Sequence, residues 1–556
     1  MPYFTMSQLF VVAPYELDAK ERQRIDNFLM ILEESGVGEI VEKASFVDHS
    51  KGGRISYNPY HLFSTIIYCF SKVIITARKI EEMIKFDLRC IYLMSAETPS
   101  YVTITKFLNN VVVKEQHKIF TTIISHVILK YNIDINDCYL DGTKIEANAN
   151  KYKFVWKPTT FHKKLDEKVK LLLLEYFKIT DNKVHFVAKE IAEYLQILRE
   201  RIVDIQGEIK PRKKGVKHSK LEKDYYLLTS YMLKALEYEE KEDICGTDRN
   251  SYYHTDHDAT AMCLKEDYYS GLGSNMHAGY NVQFIVSKGI IMDYYVSQDR
   301  NDFYAFIPAL KIFFNDYGYF PTNLCADSGY GSYENYKFLK DNLINNYVKF
   351  LNWRKEMDGK SVPLYQIKND QVYCLNGKAL KELKRSESSV HPRRKSNKIY
   401  VVEGCNYCKF KRYCQRNLKK KTNIRYFETN IDLIKFQSEA RSNLLTAKGI
   451  EMRINRSAQV KGSFGVVKQD MSFERFSRRG LESVSLEMML VCLGYNIRKI
   501  FKLIDGNAKL NYWIAPPDLC DEKMPEINIK KLLYSKPKNK GKNSALRKSY
   551  KHTKRG

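Results

Sequence analysis

From Asp18 to about Tyr131, apolar positions recur at the three- and four-residue spacing of helices packed on one another. Pro59 to Lys72 is largely apolar and lacks an internal breaker, Ala77 to Phe86 sets charge against apolar positions, and Tyr101 to Leu108 makes a further short unit. Residues 1–131 are therefore expected to form an all-helical domain. Arg78, Lys79 and Lys106 on these consecutive helices fit either a helix-turn-helix DNA reader or a bundle with a solvated basic face.

The texture then changes to short apolar runs bounded by turn residues. Asp137 to Ile145 reads as a buried strand ending at Asp141-Gly142, and Tyr280 to Val296 as a hairpin turning at Ser287-Lys288-Gly289. Phe303 to Asn315 has helical periodicity. Asn323 to Asp327 is a short strand ending in a carboxylate, with Ser332 capping a helix from Tyr333 to Asn342. Tyr347 to Leu351 predicts a further strand, and Arg453 to Lys468 and Leu481 to Leu503 predict two closing helices. An α+β chain with a mixed sheet and helices on both faces is the natural assembly. Two insertions interrupt it. Residues 159–245 are charged, Leu-rich and helical, with a basic knot of Lys210, Arg212, Lys213, Lys214, Lys217 and Lys220; residues 352–424 are rich in Cys and Lys. The core is thus expected in pieces, 132–158 with 246–351 and then 425–510, followed by a basic tail from 511 to 556.

Composition sharpens this picture. Lys and Arg number 91 against 65 acidic residues, a formal charge of +26 that points to a polyanion, by default nucleic acid. The stretch from Lys530 to Gly556 alone carries eleven Lys or Arg and no acid. No apolar run is long enough to span a bilayer. Most of the twelve cysteines stand singly in apolar surroundings, which suits a reducing, cytoplasmic setting.

Asp141 and Asp327 each close a strand beside a Gly-containing turn. Carboxylates from two strands can share divalent metals, and two metals about 4 Å apart serve phosphoryl transfer; equally, Asp commonly starts a turn. Cys405 and Cys408, with Cys414 and the upstream Cys374, have a spacing that suits tetrahedral Zn²⁺. His254 and His257, beside Asp256 and Asp258, read as a polar loop.

Five ordered motifs resemble those of the bacterial DDE-type insertion-sequence transposases. Asp141 to Asn150 (DGTKIEANAN) resembles their first-aspartate motif. Thr255 to Thr260 and Gly279 to Gln283 resemble the segments around their second strand. Ala326 to Ser332 (ADSGYGS) is similar to their second-aspartate motif, and Arg456 to Gly465 to the stretch bearing their glutamate. The helical region around Arg78 to Glu82 resembles their N-terminal domain. The resemblance implies a ribonuclease-H-like core that cuts and joins double-stranded DNA, binding terminal inverted repeats and target as a homo-oligomer at the nucleoid. It implies Mg²⁺ (or Mn²⁺) held by Asp141 and Asp327. The third ligand should be Glu, and the matching position is Lys461, at the edge of an apolar stripe of Val460, Phe464 and Val467. Arg456 and Lys468 match the family's flanking basic residues and, with Arg78 and Lys79, are expected to contact DNA. A catalytically inactive DNA-binding protein is the competing expectation, and Lys461 discriminates between the two.

Overall fold

The computed structural model describes residues 17–45, 56–179, 182–213, 216–247, 249–264, 276–383, 397–416, 418, 421–506 and 519–525. The basic tail from Lys530 and the Lys214–Gly215 part of the basic knot lie outside the described residues.

Among the described residues, seven helices come first: α1 (Ala19–Ser35), α2 (Val37–Ala44), α3 (Pro59–Ser71), α4 (Ala77–Phe86), α5 (Leu88–Leu93), α6 (Tyr101–Asn110) and α7 (Gln116–Lys130). Their starts are written in the sequence. The side chains of Asn58, Thr76, Asp87 and Ser100 accept the first free N–H groups of α3, α4, α5 and α6, and Pro59 opens α3, where it forfeits no hydrogen bond.

Strands β1 (Asp137–Glu146) and β2 (Phe154–Trp156) follow, then three helices, α8 (Thr159–Leu174), α9 (Ala188–Gln206) and α10 (Lys220–Cys245). These three build the first insertion around a core of their own, with Leu165, Val169, Leu173, Ile191, Leu198 and Leu228 inside. Strand β3 (Ser251–Tyr253) returns to pair with β2 and closes the insertion at its neck.

The main sheet takes β4 (Thr260–Met262), β5 (His277–Ser287), β6 (Ile290–Ser297), β7 (Asn323–Ala326) and β8 (Asn345–Asn346), with helices α11 (Asp302–Tyr317) and α12 (Tyr333–Asp341) between them. Its order is β4-β5-β1-β7-β8, with β6 also pairing β5. Strand β5 runs antiparallel to β1, β4 and β6, whereas β1, β7 and β8 run parallel. Antiparallel strands flanking a central strand that then continues into parallel ones is the arrangement of a ribonuclease-H-like core. The hairpin turn falls at Lys288-Gly289, with φ of 48° and 75°, the left-handed pair that a two-residue turn of matching twist requires.

The second insertion contains α13 (Trp353–Met357), the hairpin β9 (Tyr365–Lys368) and β10 (Gln371–Cys374), then β11 (Lys381–Leu383), β12 (Lys398–Val402), the short α14 (Lys411–Cys414) and β13 (Arg425–Thr429). Val372, Leu380, Tyr400, Val402 and Phe427 give it a small separate core. Helices α15 (Ile431–Leu445), α16 (Ala447–Gly465, continued by a π turn to Asp470) and α17 (Leu481–Ile504) close the chain.

Three expectations shift. The first strand does not end at Asp141-Gly142 but runs to Glu146. Gly142 serves close approach rather than a turn, since a Cβ there would sit 2.3 Å from Gln283 Nε2 on β5. Second, the strand expected over Tyr347–Leu351 is confined to Asn345–Asn346. The N–H groups of Tyr347 and Lys349 still bond the carbonyls of Leu324 and Ala326, so this segment extends the sheet edge along one side only. Third, three helices close the chain, because α16 begins at Ala447, capped by Thr446, directly after α15.

The N-terminal helices share one continuous apolar core with the sheet. Helix α17 makes the join: Gly494 lies so close to α3 that a Cβ would meet the Phe70 carbonyl oxygen at 2.8 Å, and Asn496 bonds the Ile291 backbone of β6 in both directions.

Candidate active site

Register positions the two aspartates. Strands β1 and β7 pair in parallel with Leu140 opposite Ala326, so the next position on each carries Asp141 and Asp327 side by side. Asp141 lies opposite Phe284, and Phe284 stacks on Phe464 of α16 at 4.3 Å, so Asp141 shares the sheet face that α16 covers.

Helix α16 runs along β1 and supplies cations at intervals. Lys448 pairs with Asp137, Arg456 with Asp141, and Lys468 Nζ donates to the Lys144 carbonyl at 3.2 Å. Arg456 is the pivotal contact. Its side chain is 4% exposed, Nη1 stands 2.8 Å from Asp141 Oδ2, and Nη2 stands 3.6 Å from Asp327 Oδ1. Burial pushes the Asp141 carboxyl above its ordinary range, opposed by Arg456 and Lys461. Asp327 is also penalised by burial, yet Arg456, the Ser328 N–H, Lys349 and Lys461 bring it below its ordinary range. Lys461 itself is exposed and within electrostatic reach of both carboxylates.

The opposite face of the sheet braces this pair. Gly142 lies opposite Gln283, whose side chain accepts from the Tyr330 hydroxyl and donates to Asn281 at 3.1 Å; Asn281 in turn donates to Asp302 at 2.8 Å. Tyr330 belongs to the turn after Asp327, and its Asn335 partner starts α12. The chain Tyr330–Gln283–Asn281–Asp302 therefore fixes the backbone on either side of the two aspartates.

Asp141, midway along β1, and Asp327, just after the end of β7, offer a divalent ion two carboxylate donors. At position 461, where the resemblance expects a third carboxylate, the side chain is an ammonium, which has no lone pair to offer a cation. Asp470 and Glu474 are exposed farther along the chain, and Asp470 lies nine residues beyond Lys461, about 13 Å along a regular helix.

Two family models match the chain: the Transposase DDE domain over residues 373–501, and the Transposase domain (DUF772) over residues 18–110. The two matches support a DDE-type insertion-sequence transposase. Such a domain implies a divalent metal and DNA as a partner in general. The first match carries Arg456, Lys461 and Lys468 but neither aspartate; the second spans α1 to α6 with Arg78 and Lys79. No curated protein and no solved structure matches the chain.

The other residues singled out in the sequence fall as follows. Arg78 and Lys79 are exposed on α4, with the Arg78 guanidinium 4.9 Å over the Tyr101 ring of α6. Arg456 is buried between carboxylates rather than presented at a surface. Cys374, Cys405, Cys408 and Cys414 gather on the second insertion: Cys405 feels Cys408 and Cys374, Cys414 feels Cys405 and Cys408, and burial is the largest cause lifting both thiols. None of the twelve cysteines is in a disulfide. The Asp256–Asp258 loop receives the Tyr280 hydroxyl at 3.0 Å and the Gly480 and Leu481 N–H groups, so it caps the start of α17. Sequence reading missed Lys349, half-buried beside Asp327 and Arg456, and the Tyr330–Asp302 chain. The alternation of Tyr347, Val348, Lys349 and Phe350 was the available signal for Lys349. Among the described residues, no helix is long and apolar enough to cross a membrane.

Proposed function

We propose that the chain binds the terminal inverted repeats of its element on double-stranded DNA as a homo-oligomer, and cuts and joins DNA at Asp141 and Asp327. The observation that carries this is the placement of the two aspartates at matching register on β1 and β7, sharing one guanidinium. Asp141 and Asp327 are the residues that would hold Mg²⁺ (or Mn²⁺). When bound, the metal activates the attacking oxygen and stabilises the leaving one. Arg456 offsets one of the two negative charges and aligns both carboxylates, and Lys468 at the end of α16 holds the helix to β1. Arg78 and Lys79, exposed on α4, are placed to meet phosphate, adding affinity that falls with salt. Cys374, Cys405, Cys408 and Cys414 hold one structural Zn²⁺.

Lys461 favours a second reading, a DNA-binding protein with weakened or lost catalysis. At an effective dielectric of 20, two unit charges 4 Å apart interact by about 4 kcal/mol, and a divalent ion doubles that. An ammonium in place of a carboxylate forfeits this attraction.

The test is an assay of binding, cleavage and strand transfer on DNA carrying the element's ends, with Asp141→Ala and Asp327→Ala as controls. Metal-dependent cutting that both controls lose supports a transposase. Tight end-binding with no cutting transfers the case to the binding protein. Cutting that survives both substitutions removes the aspartates from the site.

A further inference from the structure

The helical insertion carries chemistry that transposition does not require. His162 and Asp166 lie one turn apart on α8, and His185 lies in the connector before α9. Each offers one ligand atom, and these atoms lie within 4.8 Å of one another. His162 and Asp166 are buried, while the His185 side chain is 55% exposed. The two imidazole rings meet edge to face at 4.8 Å.

Two further contacts distinguish this from a chance cluster of polar groups. Glu242, on α10, approaches His162 Nδ1 at 3.1 Å, which leaves Nε2 as the nitrogen to be satisfied. That Nε2 is buried and has no hydrogen-bond partner, on a side chain only 5% exposed. Leaving such an atom unpaired in the interior forfeits its hydration without replacement. Asp166 is itself held in place, Oδ1 by the Phe186 N–H at 3.0 Å and Oδ2 by His185 Nδ1 at 3.0 Å. A carboxylate behind one imidazole, with the other imidazole nitrogen free, is the outer support that metal-bound histidines have.

We propose that His162, Asp166 and His185 form a divalent transition-metal site, best suited to Zn²⁺, with Glu242 orienting His162. Two imidazoles and one carboxylate are borderline donors that favour zinc over magnesium or calcium. Zn–N and Zn–O bonds of about 2.0–2.1 Å separate tetrahedral ligand atoms by about 3.4 Å, so the cluster needs only a small contraction. On binding, His185 Nδ1 gives up its hydrogen bond to Asp166, the imidazole proton moving to the other ring nitrogen. Water supplies the fourth ligand on the exposed His185 side. The ion would tie α8 to the connector directly, and to α10 through Glu242, stapling three segments whose shared core is small.

The test uses the full-length protein, stripped of metal by chelation, freed of magnesium and equilibrated with Zn²⁺ alone at a buffered free concentration. The parent is expected to hold one equivalent more than the His185→Gln variant, which changes a half-exposed side chain and should fold. Glu242→Gln should weaken that equivalent by about tenfold to a hundredfold. Cys405→Ser with Cys408→Ser should leave it untouched, so the cysteine site and this one fail or stand separately. Circular dichroism verifies the fold of each variant, and His162→Gln serves as a second ligand deletion. The proposal is overturned if His185→Gln and His162→Gln bind as much zinc as the parent, or if the cysteine substitutions remove all of it.

Discussion

Arg456 and Asp141, 315 positions apart in the chain, meet with Nη1 2.8 Å from Oδ2, and the same guanidinium turns its other nitrogen toward Asp327 at 3.6 Å. One buried cation thus stands between the two carboxylates that we propose as metal ligands. Its removal should expose the mutual repulsion of Asp141 and Asp327. Breaking a buried ion pair from one side costs about 3–5 kcal/mol. Arg456→Gln should therefore lower the urea midpoint by a corresponding amount, and Mn²⁺ should recover part of the loss by taking over the neutralising role. A variant that unfolds at the parental midpoint, or one that Mn²⁺ leaves unchanged, would show that the carboxylates neither depend on Arg456 nor accept an ion.

The same pair makes metal binding pH-dependent. Asp141 is raised above the ordinary value of 3.8, chiefly by burial. Its contribution to stability is fully present below 3.8 and declines as pH rises through the higher folded value. Asp327 is lowered, so its contribution is present above 3.8 and lost as pH falls through the lower folded value. In the acid range a divalent ion must compete with a proton for Asp141. Mn²⁺ affinity should accordingly weaken as pH falls toward the raised Asp141 value, and Asp141→Asn should flatten that dependence. Calorimetry across the acid range reads both, and an affinity indifferent to pH would count against Asp141 as a ligand.

Gly142 tests the brace behind the site. A methyl group there would stand 2.3 Å from Gln283 Nε2 and 2.8 Å from its Cδ. Gln283 cannot readily yield, because Tyr330 and Asn281 hold both ends of its amide. Gly142→Ala should cost about 1–3 kcal/mol, as overpacked interiors do. Adding Gln283→Ala should remove the clash, so the double variant should be less destabilised than the two single changes summed. Simple additivity in denaturant titrations would place the strain elsewhere.

Much of this was legible because local signals agree with the fold. DCYLD and NLCAD each put a carboxylate four residues after a polar start, and the parallel register brings those carboxylates together. The Lys288-Gly289 turn and the Ser332 cap were readable from residue type alone. The strand end at Gly142 was misread because a glycine that admits a neighbouring side chain looks in sequence like one that permits a turn. Arg456 reads as a surface basic residue, since the partners that bury it lie 129 and 315 residues away. The arm of Lys349 escaped notice for the same reason, and only packing reveals the His162–Glu242 contact across 80 residues.

The second insertion should carry zinc. Cys374 ends β10, Cys405 and Cys408 share the loop after β12, and Cys414 ends α14, so three backbone segments carry the four thiols, and Cys374, Cys405 and Cys414 pack against a core too small to stand alone. Protein purified without added zinc should retain an equivalent that Cys405→Ser with Cys408→Ser abolishes, together with loss of stability confined to this insertion in hydrogen exchange. Four thiols that titrate freely with no metal present in the purified protein would refute it.

Lys461 decides how far catalysis survives. It is exposed on α16 and acts on both Asp141 and Asp327, lowering each. Where the resemblance expects a carboxylate, it adds positive charge to a site in which Arg456 already offsets one of the two carboxylates. Lys461→Glu reverses the sign of that interaction and would offer a bound divalent ion a third carboxylate. Each 1.4 kcal/mol of barrier is about tenfold in rate, so cleavage of the element's ends should rise by orders of magnitude. Asp141→Ala placed on top should abolish the gain, because the ion would lose a shared ligand. Arg456 sets the scale of the effect: with a third carboxylate present, the guanidinium no longer suffices to balance the site, and divalent metal should bind more tightly in the Lys461→Glu protein even without DNA. If the parent already cuts well and the revertant is no faster, a carboxylate elsewhere supplies the third ligand, and Asp470, Glu474 and Asp302 are the substitutions to make next.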